Sequence, residues 1–107
     1  MARTHPFHDT VVAQARQDPA FARGLLDEAA DALLNGEPGV ARLLLRDLVN
    51  ATLGFERLAR LTGTPSKSLH RMLSANGNPS MNNLAAIIDA LRRQLKVSLK
   101  IKTVAAA

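Results

Sequence analysis

The sequence predicts a mainly α chain with one β-strand near its end, and three observations carry that prediction. Apolar residues recur at intervals of three and four through most of residues 9 to 93, the period of amphipathic helices. In the middle, LARLTGTPSKSLHRML ends one apolar stripe at Leu58 and Ala59, breaks at Gly63, and begins another at Leu69, Met72 and Leu73. That spacing makes two short helices around a tight turn, a candidate helix-turn-helix. After Leu95 the period changes to two, with Val97, Leu99 and Ile101 on one side and Ser98, Lys100 and Lys102 on the other, the pattern of a strand.

Composition sets the outer limits. A chain of 107 residues, 47% hydrophobic and 21% charged, is long enough for one core and short for two, so a single globular unit is expected. No apolar run approaches the roughly 18 residues of a membrane span. The N-terminus lacks the apolar stretch of a secretion signal, so the expected location is the cytoplasm. Cysteine is absent and the three histidines are scattered, which excludes disulfides and leaves no expected metal or cofactor. Trp and Tyr are absent, and three Phe at core-like positions offer little for stacking single-stranded bases. With no GxSxG, phosphate loop, paired histidine–carboxylate motif or cysteine nucleophile, no enzyme activity is expected.

Charge divides the chain unevenly. Residues 1 to 39 hold three basic and six acidic groups, a net of −3, whereas residues 40 to 107 hold eleven and three, a net of +8. A polyanion-binding surface beside an acidic portion accounts for this split, and so does a solvated surface with a chance bias.

In order, Met1 to His8 reads as a loose arm, and His5 and His8, separated by Pro6, find no further ligand nearby. Asp9 is expected to cap a short helix bearing Val11, Val12 and Ala15. Asp18 then caps, with Pro19 at the first position, a helix whose inward residues are Phe21, Leu25, Leu26, Ala29, Ala30, Leu33 and Leu34 and which ends at Asn35-Gly36. Arg23, Asp27, Glu28 and Asp31 take its wet side. Glu37-Pro38-Gly39 opens the next helix, with Val40, Leu43, Leu44, Leu48 and Val49 inward and Arg42, Arg46 and Asp47 outward. Phe55 to Thr62 follows as a helix of two turns that only packing can hold. Thr64 is expected to cap the helix after Gly63, with Pro65 at its first position, and the helix runs to about Leu73.

Burying Leu69, Met72 and Leu73 turns Ser66, Lys67, His70 and Arg71 to solvent, with Ser68 at the edge. A helix laid in a major groove needs such donors, with short hydroxyls that permit close approach and cations that reach guanine or phosphate. An ordinary polar helix face has the same composition. SANGNPS is a loop in which Pro79 holds Asn78 out of the helical region. Ser80 caps a helix from Met81 to about Arg93, with Met81, Leu84, Ile87, Ile88 and Leu91 inward. Ser80, Asn82 and Asn83 in its first turn, with Asn78 before them, could clamp a phosphate or merely face water.

Residues Val40 to Leu91 resemble the five-helix Cro/C1 (Xre, lambda repressor-like) DNA-binding domain. That pattern is a short helix, a glycine turn, a recognition helix, a Gly-containing loop and a Pro before the last helix. The longer run from RQDPAF through GLLDEAADALLNGEPGVARLLLRDLVNA to SLHRMLSANGNPSMNNL looks like the probable addiction module antidote (HigA-like) family. Its most distinctive segment is Met72 to Ser80. Where the family often has Tyr in the recognition helix this chain has His70, so no base preference carries over.

The resemblance implies a Cro/C1-type domain over residues 40–95, with an N-terminal arm and two helices (1–39) packed on it and a strand and tail (96–107) after it. It further implies an antitoxin that neutralises a RelE/HigB-like ribonuclease toxin and represses its own operon by binding operator DNA as a dimer. Within that reading Ser66, Lys67, His70 and Arg71 are assigned to base edges, and Thr64, Ser68, Asn78, Ser80, Asn82 and Asn83 to the sugar-phosphate backbone. A stand-alone Xre-type repressor, or a protein-interaction module that does not bind DNA, remains open. One strand cannot satisfy its own backbone. Val97, Leu99 and Ile101 therefore serve pairing with a second copy, addition to a toxin's sheet edge, or packing on their own domain.

Overall fold

A computed structural model describes residues 6–107 and shows six helices: α1 (Pro6–Gln17), α2 (Pro19–Leu34), α3 (Pro38–Ala51), α4 (Phe55–Thr62), α5 (Ser66–Met72) and α6 (Met81–Leu95). Among the described residues there is no strand, and no helix is long and apolar enough to cross a membrane. The structure is therefore mainly helical. α2 lies most extensively on α3, α1 packs on both, α4 joins α5 to α6, and α2 and α3 also touch α6. One hydrophobic cluster runs through all of it, including Leu25, Leu26, Leu45, Leu48, Leu58, Leu69, Ile87 and Leu91.

Local chemistry explains most boundaries. The Asp18 carboxylate accepts from the N–H groups of Ala20 and Phe21 at 3.0 and 3.3 Å, which caps α2, and Gly36 turns the chain with a φ of 82°. Gly63 closes α4 with a φ of 73° and ψ of 14°, a conformation that disfavours any side chain. The Ser80 hydroxyl accepts from the N–H of Asn83 at 3.1 Å and caps α6.

Several expectations are corrected. α1 begins at Pro6, so Asp9 lies in its first turn and is not its cap; His5 lies outside the described residues. Met81 is 86% exposed and Val40 46% exposed, because side chains in a first helical turn lean back past the helix end and away from the core. Leu34 is 57% exposed; it lies about 200° round the helix from buried Ala32, outside the stripe formed by Ala22, Leu25 and Ala29. Asp47, expected to be solvated, is 4% exposed, and it pairs with His8 of α1 at 2.9 Å, since a buried carboxylate must find a partner.

The expected strand at Lys96–Lys102 does not form within the chain. Val97 and Leu99 are half-buried against the core cluster, Ser98 and Lys100 are exposed, and Ile101 is 74% exposed. The alternation is present. Among the described residues no neighbouring element is free to complete a ladder, because every other one is helical and its backbone groups are largely bonded internally.

Candidate nucleic-acid interface

α5 is carried by α4. Leu69 and Leu73 are each 1% exposed, so the pair of leucines fixes the rotation of the helix and with it everything the helix shows to solvent. Lys67, His70 and Arg71 are exposed, and Ser66 and Ser68 are half-buried at the edges of that face. The side chains of Lys67 and Arg71 have no hydrogen-bond or ion-pair partner among the described residues. Two cationic donors therefore share the outer face of the helix, with one hydroxyl at each of its edges.

His70 is placed differently from its neighbours. Its ring stacks on Phe55 of α4, with centroids 3.8 Å apart and planes 20° apart. One ring face is thus covered while the residue remains exposed overall, and the first residue of α4 is tied to the last turn of α5.

The turn before α5 corrects the expected cap. Pro65 has φ −57° and ψ 141°, so it stands just before the helix, and the first helical bond runs from the Leu69 N–H to the Pro65 carbonyl at 3.1 Å. Thr64 precedes a proline, which disfavours the helical region for it. Thr62 organises the turn instead: its hydroxyl donates to the Leu58 carbonyl at 2.8 Å and accepts from the Thr64 N–H at 3.3 Å.

After α5 the Ser74 hydroxyl donates to the Arg71 carbonyl at 2.7 Å, closing the helix. The guanidinium of Arg42, from α3, donates to the carbonyls of Ser74 and Ala75 at 3.2 and 3.0 Å. Gly77 completes the anchoring. A Cβ there would stand 2.0 Å from the Met72 carbonyl oxygen, so only glycine lets the loop lie this close to the helix end. Asn78 and Asn82 are exposed and Asn83 is half-buried. Because Asn83's N–H is already held by Ser80, the first turn of α6 offers fewer open donors than the sequence pattern implies.

The fold thus brings Lys67, His70 and Arg71 onto one face, and places Asn78, Ser80 and Asn82 in the loop and helix start that follow. It leaves Thr64 in the preceding turn. The bonds of Arg42 to the following loop, the hydroxyl bonds of Thr62 in the turn and the stack of Phe55 on His70 were not anticipated. Arg42 carries no local signal, because the carbonyls it binds are more than thirty residues away. Thr62, one residue before a turn glycine and two before a backbone N–H needing an acceptor, does carry one. No cluster of three or more His, Asp or Glu that could hold a metal occurs among the described residues.

Compared with known proteins, the chain matches no family model, no curated protein and no solved structure.

Proposed function

We propose that the chain is a sequence-specific DNA-binding repressor of the Xre helix-turn-helix type, with α4, the Gly63 turn and α5 as the motif and α5 as the reading helix. The observation that carries this reading is the α5 face itself: the side chains of Lys67 and Arg71 stand exposed with no hydrogen-bond or ion-pair partner among the described residues, on a helix whose rotation is set by two fully buried leucines. Unpaired cations on a rigid helix suit base edges and phosphates. Arg57 and Arg60, exposed on α4, add to the positive surface through which a duplex would be attracted.

The resemblance to the addiction module antidote family extends the proposal to an antitoxin that acts on the nucleoid. The protein would bind a RelE/HigB-like ribonuclease toxin and repress the shared operon as a dimer. The acidic face of α2, where Asp27, Glu28 and Asp31 are exposed, supports a basic protein partner. No site for catalysis enters this reading.

A mobility shift with the DNA upstream of its own gene, at two salt concentrations, tests the DNA-binding part. The expected result is a shift whose affinity falls with salt at a slope of roughly −0.9 per phosphate contacted. No shift at low salt refutes it. Co-purification with the product of an adjacent short reading frame tests the antitoxin part separately.

A further inference from the structure

We infer that the tail following α6 pairs antiparallel with the same segment of a second copy, and that Leu99 sits on the two-fold axis. This rests on the dimeric part of the proposed function and adds the surface and register that the dimer uses.

The end of α6 prepares the tail for pairing. Lys96 adopts a left-handed conformation with φ 60° and ψ 46°, and the Val97 N–H donates back to the Arg92 carbonyl at 3.0 Å. Val97 therefore has no donor left to offer a neighbour. From Ser98 onward no backbone hydrogen bond is made among the described residues. Burial nonetheless alternates as in a pleated strand, Val97 and Leu99 resting on the core and Ser98 and Lys100 facing out. Beside this edge lies a groove of about 770 Å³ whose apolar part includes Leu34, Ile88, Leu99, Ile101 and Val104 and whose rim carries Asp27, Asp31, Lys100 and Lys102. Its apolar lining is open to a partner, since Ile101 and Val104 are 74% and 73% exposed. Water can satisfy the amides of this exposed segment but not the apolar side chains of Ile101 and Val104, and a second copy supplies both an apolar cover and a backbone of identical pattern.

Charge and parity then select the register. Opposed residues must lie on the same face, so the two-fold axis passes through a residue and not between two. Through Ser98 it sets Lys96 against Lys100 and demands ladder bonds from Lys96, which is in a left-handed cap. Through Lys100 it sets that lysine against its own copy. The first leaves a ladder of only Val97 to Leu99, since the cap cannot pair, and the second places like charges directly opposite, which destabilises a pair. Through Leu99 the pairs are Leu99 with Leu99, Val97 with Ile101 and Ser98 with Lys100, none of them like-charged. Lys96 and Lys102 would come next, but the left-handed cap at Lys96, whose N–H is held by the Arg93 carbonyl, ends the ladder before them.

The same register suits the hydrogen bonds. Val97, whose N–H is engaged, needs a position that makes no ladder bond, and alternation then gives Leu99 the same kind of position and gives Ser98 and Lys100 the bonded ones. Each copy keeps Val97 and Leu99 on its own core, so the two domains lie side by side under one ribbon. Exposed Ile101 of each copy becomes covered by Val97 of the other.

Single cysteines at Ser98, Leu99 and Lys100 in the full chain, oxidised mildly, test the register. Opposed Cα atoms at a non-bonded position lie roughly 4.5 Å apart, within disulfide range, so Leu99→Cys is expected to give a covalent dimer at several-fold higher yield than either neighbour. Ile101→Lys provides a variant with little role in the monomer's core. It is expected to weaken dimerisation by about ten-fold while leaving helical circular dichroism and Tm unchanged. Light scattering of the wild type should give twice the 11.5 kDa of one chain. Strongest cross-linking at Ser98 or Lys100, or a dimer indifferent to Ile101→Lys, overturns the inference and leaves a dimer formed elsewhere. A monomer overturns both the interface and the dimeric reading, whereas loss of the DNA shift alone bears only on DNA binding.

Discussion

The loop after α5 and the outer face of α5 are adjacent in sequence and opposite in how their polar groups are used. In the loop, the Ser74 and Ala75 carbonyls receive the Arg42 guanidinium, and Gly77 lies against the end of α5. On the face, the side chains of Lys67 and Arg71 are exposed and have no hydrogen-bond or ion-pair partner among the described residues. Arg42 and Arg71 nevertheless look alike in sequence, each a cation on the polar side of an amphipathic helix. What separates them is whether an unpaired carbonyl from another element comes within reach, as it also does for Arg23 at the Leu95 carbonyl and Arg16 at the Asn50 carbonyl. A basic residue in such a fold is free for a ligand only after helix ends and loops have taken theirs.

Substitutions on the two sides of this contrast should therefore have separable effects. Gly77→Ala is expected to be the most damaging, because its new Cβ would meet backbone and not a flexible side chain. A loss of about 3 kcal/mol in folding stability is expected, read from urea unfolding. If Gly77→Ala unfolds at the wild-type urea concentration, the loop does not lie as tightly as described. Next, Lys67→Ala or Arg71→Ala should lower affinity for the operator by about 1 to 3 kcal/mol if the contact is to a base, and change stability by no more than about 0.5 kcal/mol. An equal loss on unrelated DNA reassigns that residue to phosphate. Arg42→Met should show the reverse balance. Removing two bonds from a charged donor at a half-buried site costs about 1.5 kcal/mol of stability, and any loss of DNA affinity should follow from a displaced loop.

How much of this was legible beforehand depended on sequence distance. The bounds of α2 and α4 came out as expected, because Asp18-Pro19, Asn35-Gly36 and Gly63 act within a few residues of themselves. The exposure of Lys67, His70 and Arg71 was legible for the same reason, since Leu69 and Leu73 fix the helix rotation. Contacts that span the chain were not. His8 and Asp47 are 39 residues apart and Arg23 and Leu95 are 72 apart, and no periodicity marks either pair. The stack of His70 on Phe55 required knowing how α4 and α5 cross. The terminal alternation was legible as a strand, yet a strand is a relation between two backbones, and the described residues supply only one of them.

The smallest expected effect lies on α6 and extends the contrast to an exposed ion-pair cluster. Asp89 receives the Arg93 side chain at 2.9 Å and the Arg92 side chain at 2.7 Å. The hydrogen bond from Arg93 is the largest cause and holds its carboxyl below the ordinary value of 3.8; burial opposes it, and the positive charges of Arg92 and Arg93 and the Arg92 hydrogen bond add to the lowering. The depressed value means that the folded state binds the proton less readily than the unfolded state. Its contribution is therefore present above about pH 4 and is lost as the pH falls through the folded-state value. Since the group lies at the surface, the contribution should be small and should shrink further in salt. A Tm profile between pH 6 and pH 2, roughly the range over which carboxylates titrate, checks this. Asp89→Asn should flatten the acid limb only slightly at low salt and not at all at high salt. A large effect that persists in salt would place Asp89 among the groups the fold depends on, beside Arg42, and not among its solvated charges.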